Sequence, residues 1–416
     1  MTSRERVRKA INHQHPDRVP HDLGSTLVTG IQAIAYANLK KALGIRQGTV
    51  RVYDPFQMLA EVEDSVKQAL GVDTYGIQLP TTLFGFKNEN WKKFRMFDGT
   101  DVEISGHFAY DVLPNGDIVQ YPKGDRSAPP SAKMPNGGYY FDSIVRQEPI
   151  DEDKLDPKEW VEQSHTLYTD EDLRYLEETA KGWYEGSEYS LVGNFWGAGF
   201  GDIALVPGPG VLHPKGIRDP EEWYVSSLTR PEYVREIFQL QFEVQMKNLQ
   251  MYREAVGDRI DVIVMSGTDF GSQNGPFIAP KAYREMFKPL HKAMNDWVHR
   301  NTGWKTFYHT CGSIVRFLDD FTDAGIDILN PVQISAAGMS LEFLKEEYGD
   351  KFVFWGGAID VQHTLSFLSP AEVEAEARHN VAVFSAGGGF VFNNVHNVQA
   401  NVPPENFLAM LEAIRS

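Results

Sequence analysis

The most chemically pointed tract of the sequence is His309-Thr310-Cys311-Gly312, at the end of the apolar run 305–309. Residues two apart on an extended strand project to the same side, so the imidazole and the thiol share one face. One nitrogen and one sulfur so placed suit a borderline-soft cation such as zinc. Catalytic zinc commonly has three protein ligands and one open position, and His396, after the last apolar run, is the expected third ligand. Two other readings stand beside this one. A strand-end His-x-Cys pair also arises from ordinary packing, and Cys311 is a candidate nucleophile activated by His309 or His396.

Polar residues gather in the same way past the other apolar runs. Thr268, Asp269 and Gln273 follow residues 261–266, Asn330 and Gln333 follow 326–330, and Asp360 lies beyond 352–356, which contains Trp355. Asn393, Asn394, Asn397 and Gln399 surround His396. Asp269 and Gln273 are the expected catalytic residues; Asn330, Gln333, Asn393 and Trp355 are the expected substrate contacts. The plainer alternatives are that Asp269 caps the loop before a helix near Pro280, and that Gln273 and Asn393 satisfy loop backbone groups. His13, His15, His291 and His299 read as surface residues.

What must position these groups is a series of short buried strands: 190–194, 261–266, 305–309, 326–330, 352–356 and 390–393. Between them run helix-period segments such as 279–300, where Pro289 should introduce a kink. Ser369-Pro370-Ala371-Glu372 carries the signature of a helix start. Strands alternating with helices make parallel pairs joined by crossovers. Earlier in the chain, residues 18–22, 51–54 and 75–79 read as strands, with helices over 31–43 and 58–70. Residues 82–145 carry Asp98-Gly99, Asn115-Gly116 and Asn136-Gly137, which are hairpin signals. They predict an antiparallel excursion over one mouth, followed by a helical cap at 146–185. The expected architecture is α/β: a single (β/α)8 barrel domain over 1–416 with the insertion at 82–145. Sites in such barrels lie where the polar residues gather, past the carboxyl ends of the strands. An open doubly wound sheet is the alternative, but no GxGxxG follows a first strand.

Composition narrows the partners. Hydrophobic residues make up 42% and aromatic residues 12%, enough for a large core. A net charge of −17 repels phosphate backbones and anionic lipid, so nucleic acid and membrane are poor partners. One cysteine, a charged amino terminus and no long apolar run point to a cytoplasmic protein. Self-association into a homo-oligomer is left open.

Several stretches taken together resemble the uroporphyrinogen decarboxylase superfamily. They are Asp17-Arg-Val-Pro-His-Asp-Leu-Gly24, His309-Thr-Cys-Gly312, Asn330-Pro-Val-Gln333, Phe354-Trp-Gly-Gly-Ala-Ile-Asp360 and the run from Gly387 to Asn406. The likeness is dense from about residue 260 onward and implies a (β/α)8 barrel. In one branch, metal-free decarboxylases hold a polycarboxylate tetrapyrrole with an amino-terminal arginine loop. Here His21-Asp-Leu-Gly-Ser-Thr26 stands in that place, which disfavours that substrate. The other branch comprises cobalamin-dependent methyltransferases, whose members acting on coenzyme M bind zinc through a His-x-Cys pair and a later cysteine. His309 and Cys311 match the pair; His396 fills the later cysteine's place, although the decarboxylase branch also carries a histidine near there. The resemblance thus implies zinc, a small methylated or methoxylated substrate, and a corrinoid carried by a separate protein, because the chain lacks the Asp-x-His-x-x-Gly cobalt-ligating signature. The rival readings are a metal-free lyase acting on a small carboxylated substrate and a non-catalytic ligand-binding barrel.

Overall fold

Runs such as Ser190–Asn194 and Val262–Ser266 are buried at every position, which only a strand covered on both faces allows. They belong to a sheet of seven parallel strands. In sheet order, which is also chain order, these are β1 (Thr74–Ile77), β2 (Ser190–Asn194), β3 (Val262–Ser266), β4 (Lys305–His309), β5 (Ile328–Asn330), β6 (Val353–Trp355) and β7 (Phe390–Val391). The structure is a computed structural model and describes residues 1–415. Residues 20–22 fill the gap between the sheet's edges. His21 bridges Phe392 in parallel, the Phe392 N–H donates to Pro20 O at 2.8 Å, and the Asp73 N–H donates to His21 O at 2.8 Å. The sheet is thereby closed into a ring of the TIM-barrel type. Its interior holds Val192, Val264, Phe307, Ile328, Val353 and Trp355. Helix Ser3–Ala10 crosses the amino end, since the Arg4 N–H donates to Glu188 O and the Gly389 N–H to Ala10 O, both just before strands.

One carboxylate secures this closure. Asp73 is fully buried and accepts from Ser3 Oγ, Arg6 Nη1, both terminal nitrogens of Arg18 and the His21 N–H, at 2.7–2.9 Å. The remaining arginine charge is met by Asp17, which takes Arg6 Nε and Nη2.

Two early elements differ from expectation. Val52–Asp54 pairs antiparallel with Leu59–Ala60 outside the barrel, and the helix expected over 58–70 spans only Asp64–Leu70. The reason is local: Met58 sits at φ 54°, a left-handed conformation that turns the chain back on itself. The expected kink near Pro289 takes the form of a π-helical turn, Tyr283–Phe287, before helix Lys288–Asn301. Proline, lacking an N–H, sits in the first turn of that second helix, where no donor is needed. Ser369 and Glu372 form the expected capping box.

From the carboxyl end of β1 the chain leaves the barrel. Lys92–Arg95 pairs with Asp101–Ile104, and a second antiparallel sheet joins Tyr110–Val112, Ile118–Gln120, Ala132–Met134 and Asp142–Ser143. Gly99, Gly116 and Gly137 take positive φ at the turns. Helices Pro157–Glu162 and Asp170–Gly186 follow. None of the helices among the described residues is long and apolar enough to cross a membrane.

Asp73→Ala should cost about 3–5 kcal/mol, because it removes the buried carboxylate shared by Arg6, Arg18 and the His21 N–H; chemical denaturation measures it, and a loss under about 1 kcal/mol would refute the role. Acid should destabilise the barrel for a second reason. His21 and His291 are buried, and burial lowers their pKa values to about 4 and about 3. Unfolded, each titrates near 6.5, so below that pH the unfolded chain binds more protons than the folded one. Their contribution is complete above about pH 6.5 and is lost as pH falls toward 4. A thermal midpoint that stays flat between pH 7 and 5 would contradict this.

Candidate metal centre

His309 ends β4, and the ring is fixed by its neighbours on β5 and β6. Its Nδ1 lies 2.6 Å from Asn330 Oδ1, while Asn330 Nδ2 donates to Trp355 O at 2.7 Å. That second bond turns the amide oxygen toward the imidazole. An amide oxygen only accepts, so Nδ1 carries the proton and Nε2 presents its lone pair. Cys311 Sγ stands 3.3 Å from that Nε2. His396, at φ 65°, lies edge-on to His309 with ring centroids 5.1 Å apart. The donor atoms of His309, Cys311 and His396 all lie within 4.8 Å of one another. Zinc–ligand bonds of about 2.0–2.3 Å place tetrahedral donors roughly 3.3–3.8 Å apart, so this set suits zinc after a small closure. The His396 ring is the least prepared of the three. Its Nδ1 already accepts the Asn397 N–H at 2.8 Å, so a cation must displace that bond or draw the proton from Nε2.

The electrostatics favour uncharged groups. Burial lowers the His309 pKa to about 4, and burial with the His309 ring lowers that of His396 to about 3. Burial, reinforced by Asp269, pushes the Cys311 thiol well up, and burial raises Asp269 too. A divalent cation would relieve this by stabilising thiolate and carboxylate together. Asp269 accepts the Cys311 N–H at 2.6 Å and approaches His309 Nε2 at 4.0 Å.

The other expected residues are placed around this cluster rather than in it. Gln333 Oε1 accepts the Gly312 N–H at 2.7 Å and Gln333 Nε2 donates to Gln273 Oε1 at 2.7 Å; Gln273 in turn donates to Ser335 O. The pair holds the loop carrying Cys311. Trp355 is fully buried inside the barrel, and its Nε1 donates to Asp22 Oδ2 at 2.9 Å. Asn393 Nδ2 donates to Asp22 O, leaving a buried Oδ1 without a partner. His291, read as a surface residue, is instead fully buried, between Tyr283 OH and Ala198 O.

The loops after β3 and β4 touch backbone to backbone. A Cβ on Gly312 would meet Gly271 O at 2.3 Å, and one on Gly271 would meet Ser313 N at 2.8 Å. Sequence reading missed Asp202, in the glycine-rich loop after β2. Burial, with Asp269 adding to it, raises the Asp202 pKa to about 7. Asn194 and Trp196 were missed as well; Asn194 Oδ1 and Trp196 Nε1 are buried and unpartnered. The only available signal was their position at or just past the end of β2.

Residues 211–416 match the family model described as uroporphyrinogen decarboxylase (URO-D). Among curated proteins, the uroporphyrinogen decarboxylase of Pseudoalteromonas atlantica is 22% identical over 178 residues, covering 40% of this chain and 47% of that protein. That of Mannheimia succiniciproducens is 28% identical over 131 residues, covering 30% and 34%. The chain thus spans less than half the length of these relatives. Among solved structures, a methyltransferase from Methanosarcina mazei superposes with a TM-score of 0.57 at 14% identity, covering 99% of this chain and 98% of that one. At that identity the likeness speaks for the fold.

Because Asn330 orients His309, Asn330→Ala should weaken zinc binding about 10- to 100-fold. His396→Ala should cost less affinity than His309→Ala, since the His309 lone pair already faces Cys311 within the cluster whereas that of His396 accepts a backbone N–H. Competition against a chelating dye measures both; zinc affinity unchanged in Asn330→Ala, or the reverse order of the two histidines, would sink this account.

Proposed function

We propose that this chain, whose residues 211–416 belong to the uroporphyrinogen decarboxylase family, is a zinc-dependent methyltransferase. It moves a methyl group between a small methylated or methoxylated substrate and a corrinoid carried on a separate protein. The observation that carries the reading is the convergence of His309, Cys311 and His396 within 4.8 Å at the strand ends. Zinc bound there would supply Lewis-acid polarisation, favouring a thiolate at neutral pH or weakening a methyl–oxygen bond.

The chain's own groups divide the remaining work. Asn330 holds the His309 tautomer, and Trp355 holds Asn330 through its carbonyl. Gln273 and Gln333 fix the loop that presents Cys311. Asn194 and Asn393 offer unpartnered carbonyl oxygens to substrate donors. Asp202, with a pKa near neutrality, is suited to give a proton to a departing alkoxide or amine, and Asp269 to take one up. The antiparallel excursion exposes Phe97, Val112 and Tyr140, which supports a role in docking the corrinoid protein.

The names of the relatives raise the decarboxylase alternative. Against it, His21, Asp22, Ser25 and Thr26, in and just after the closing segment, are buried and offer no cation to a polycarboxylate. The deciding experiment mixes methoxylated aromatics or methylamines with the enzyme and a reduced corrinoid protein, and follows cobalt(I) turning to methyl-cobalt(III). The change should appear, and should disappear in His309→Ala; demethylation without any corrinoid, or ordinary turnover of uroporphyrinogen, would overturn the proposal.

A further inference from the structure

Away from the metal cluster, Lys67 is a lysine with no acceptor. It lies on helix Asp64–Leu70 and is 3% exposed, and its Nζ makes no hydrogen bond or ion pair among the described residues. Its Nζ rests instead 4.0 Å from the centroid of the Tyr75 ring and 5.8 Å from that of Tyr189. Tyr75 itself stacks on Trp183 at 3.8 Å. Aromatic faces attract an ammonium but accept none of its three N–H bonds conventionally, so burial without an oxygen partner is costly. Consistent with that cost, burial lowers the Lys67 pKa to about 8, which still leaves most of it charged at neutrality.

Lys67 lines a cavity of about 170 Å³ at the carboxyl end of β1. The same cavity is lined by Glu61 and Asn88. Glu61 is exposed, with a carboxylate that has no hydrogen-bond or ion-pair partner among the described residues. Asn88 donates through Nδ2 to Tyr53 O, and its Oδ1 is buried and unpartnered. One small space is therefore bordered by a cation and a solvent-facing anion that have no hydrogen-bonded partner among the described residues, and by a buried neutral acceptor that has none, with Tyr53, Trp91 and Tyr175 completing aromatic walls. An inorganic anion would satisfy Lys67 but meet Glu61 with like charge, and a simple cation would do the reverse. A ligand carrying both charges satisfies all three groups.

We infer that this cavity is a binding site for a small zwitterion of the amino-acid type, its carboxylate on Lys67 and its ammonium on Glu61 and Asn88. The site shares no lining residue with the His309–Cys311–His396 cluster and does not depend on the metal.

Isothermal titration of the full chain tests it, with glycine, serine and trimethylglycine as zwitterions and acetate and methylammonium as the separate halves. At least one zwitterion should bind with a Kd tenfold or more below that of either half. Lys67→Met and Glu61→Gln should each weaken that binding at least tenfold while circular dichroism and the thermal midpoint hold. Should the methionine variant fail to fold, Glu61→Gln, at an exposed residue, carries the comparison. The inference is overturned if acetate binds as tightly as the zwitterions, if no zwitterion binds, or if the folded variants bind like the parent.

Discussion

The barrel is closed by a segment too short to be a strand, and Asp73 is what makes that closure hold. Residues 20–22 contribute only a few ladder hydrogen bonds between β7 and β1. Seven parallel strands left open would present two unpaired edges, a costly state for a sheet buried on both faces. A buried carboxylate with donors from Ser3, Arg6, Arg18 and the His21 backbone replaces the missing strand length with charge-assisted bonds. The amino-terminal helix is pinned by the same group, so closing the ring and sealing its floor are one event.

The candidate centre inherits its rigidity from that seam. Asp22, next to His21, accepts Thr74 Oγ1 at 2.6 Å and Trp355 Nε1 at 2.9 Å. Trp355 O takes Asn330 Nδ2, and Asn330 Oδ1 takes the His309 ring. A continuous line of hydrogen bonds thus runs from the closing segment across β6 and β5 to β4. Each link is buried, where such bonds are stronger and misalignment is penalised. The imidazole is held before any ligand arrives, and preorganisation of that kind is what a metal or a reacting group requires.

Much of this was legible in the residues. Strands buried on both faces read as continuous apolar runs, and the ends of Ser190–Asn194 and Lys305–His309 were readable to the residue. His309 and Cys311 were visible because strand geometry fixes where residues two apart point. What could not be read depends on contacts distant in sequence. Nothing local marks Asp202, because its raised pKa comes from burial and from Asp269 in another loop. The antiparallel pair Val52–Asp54 and Leu59–Ala60 turns on a left-handed Met58, a conformation that propensity argues against. His291 looked like a surface residue because helical spacing alone does not say which neighbours cover a face.

The facing glycines of the loops after β3 and β4 have a consequence for how this mouth can diversify. Gly271 and Gly312 are pressed so closely that a methyl group on either would meet backbone atoms. These two loops therefore vary together or not at all, and the spacing between Asp269 and Cys311 is shielded from drift at these two positions. The glycine-rich loop after β2, carrying Trp196 and Asp202, has no such backbone lock on β4. Lineages exploring new substrates on this scaffold would be expected to record their history there, with the chemistry inherited unchanged a few ångströms away.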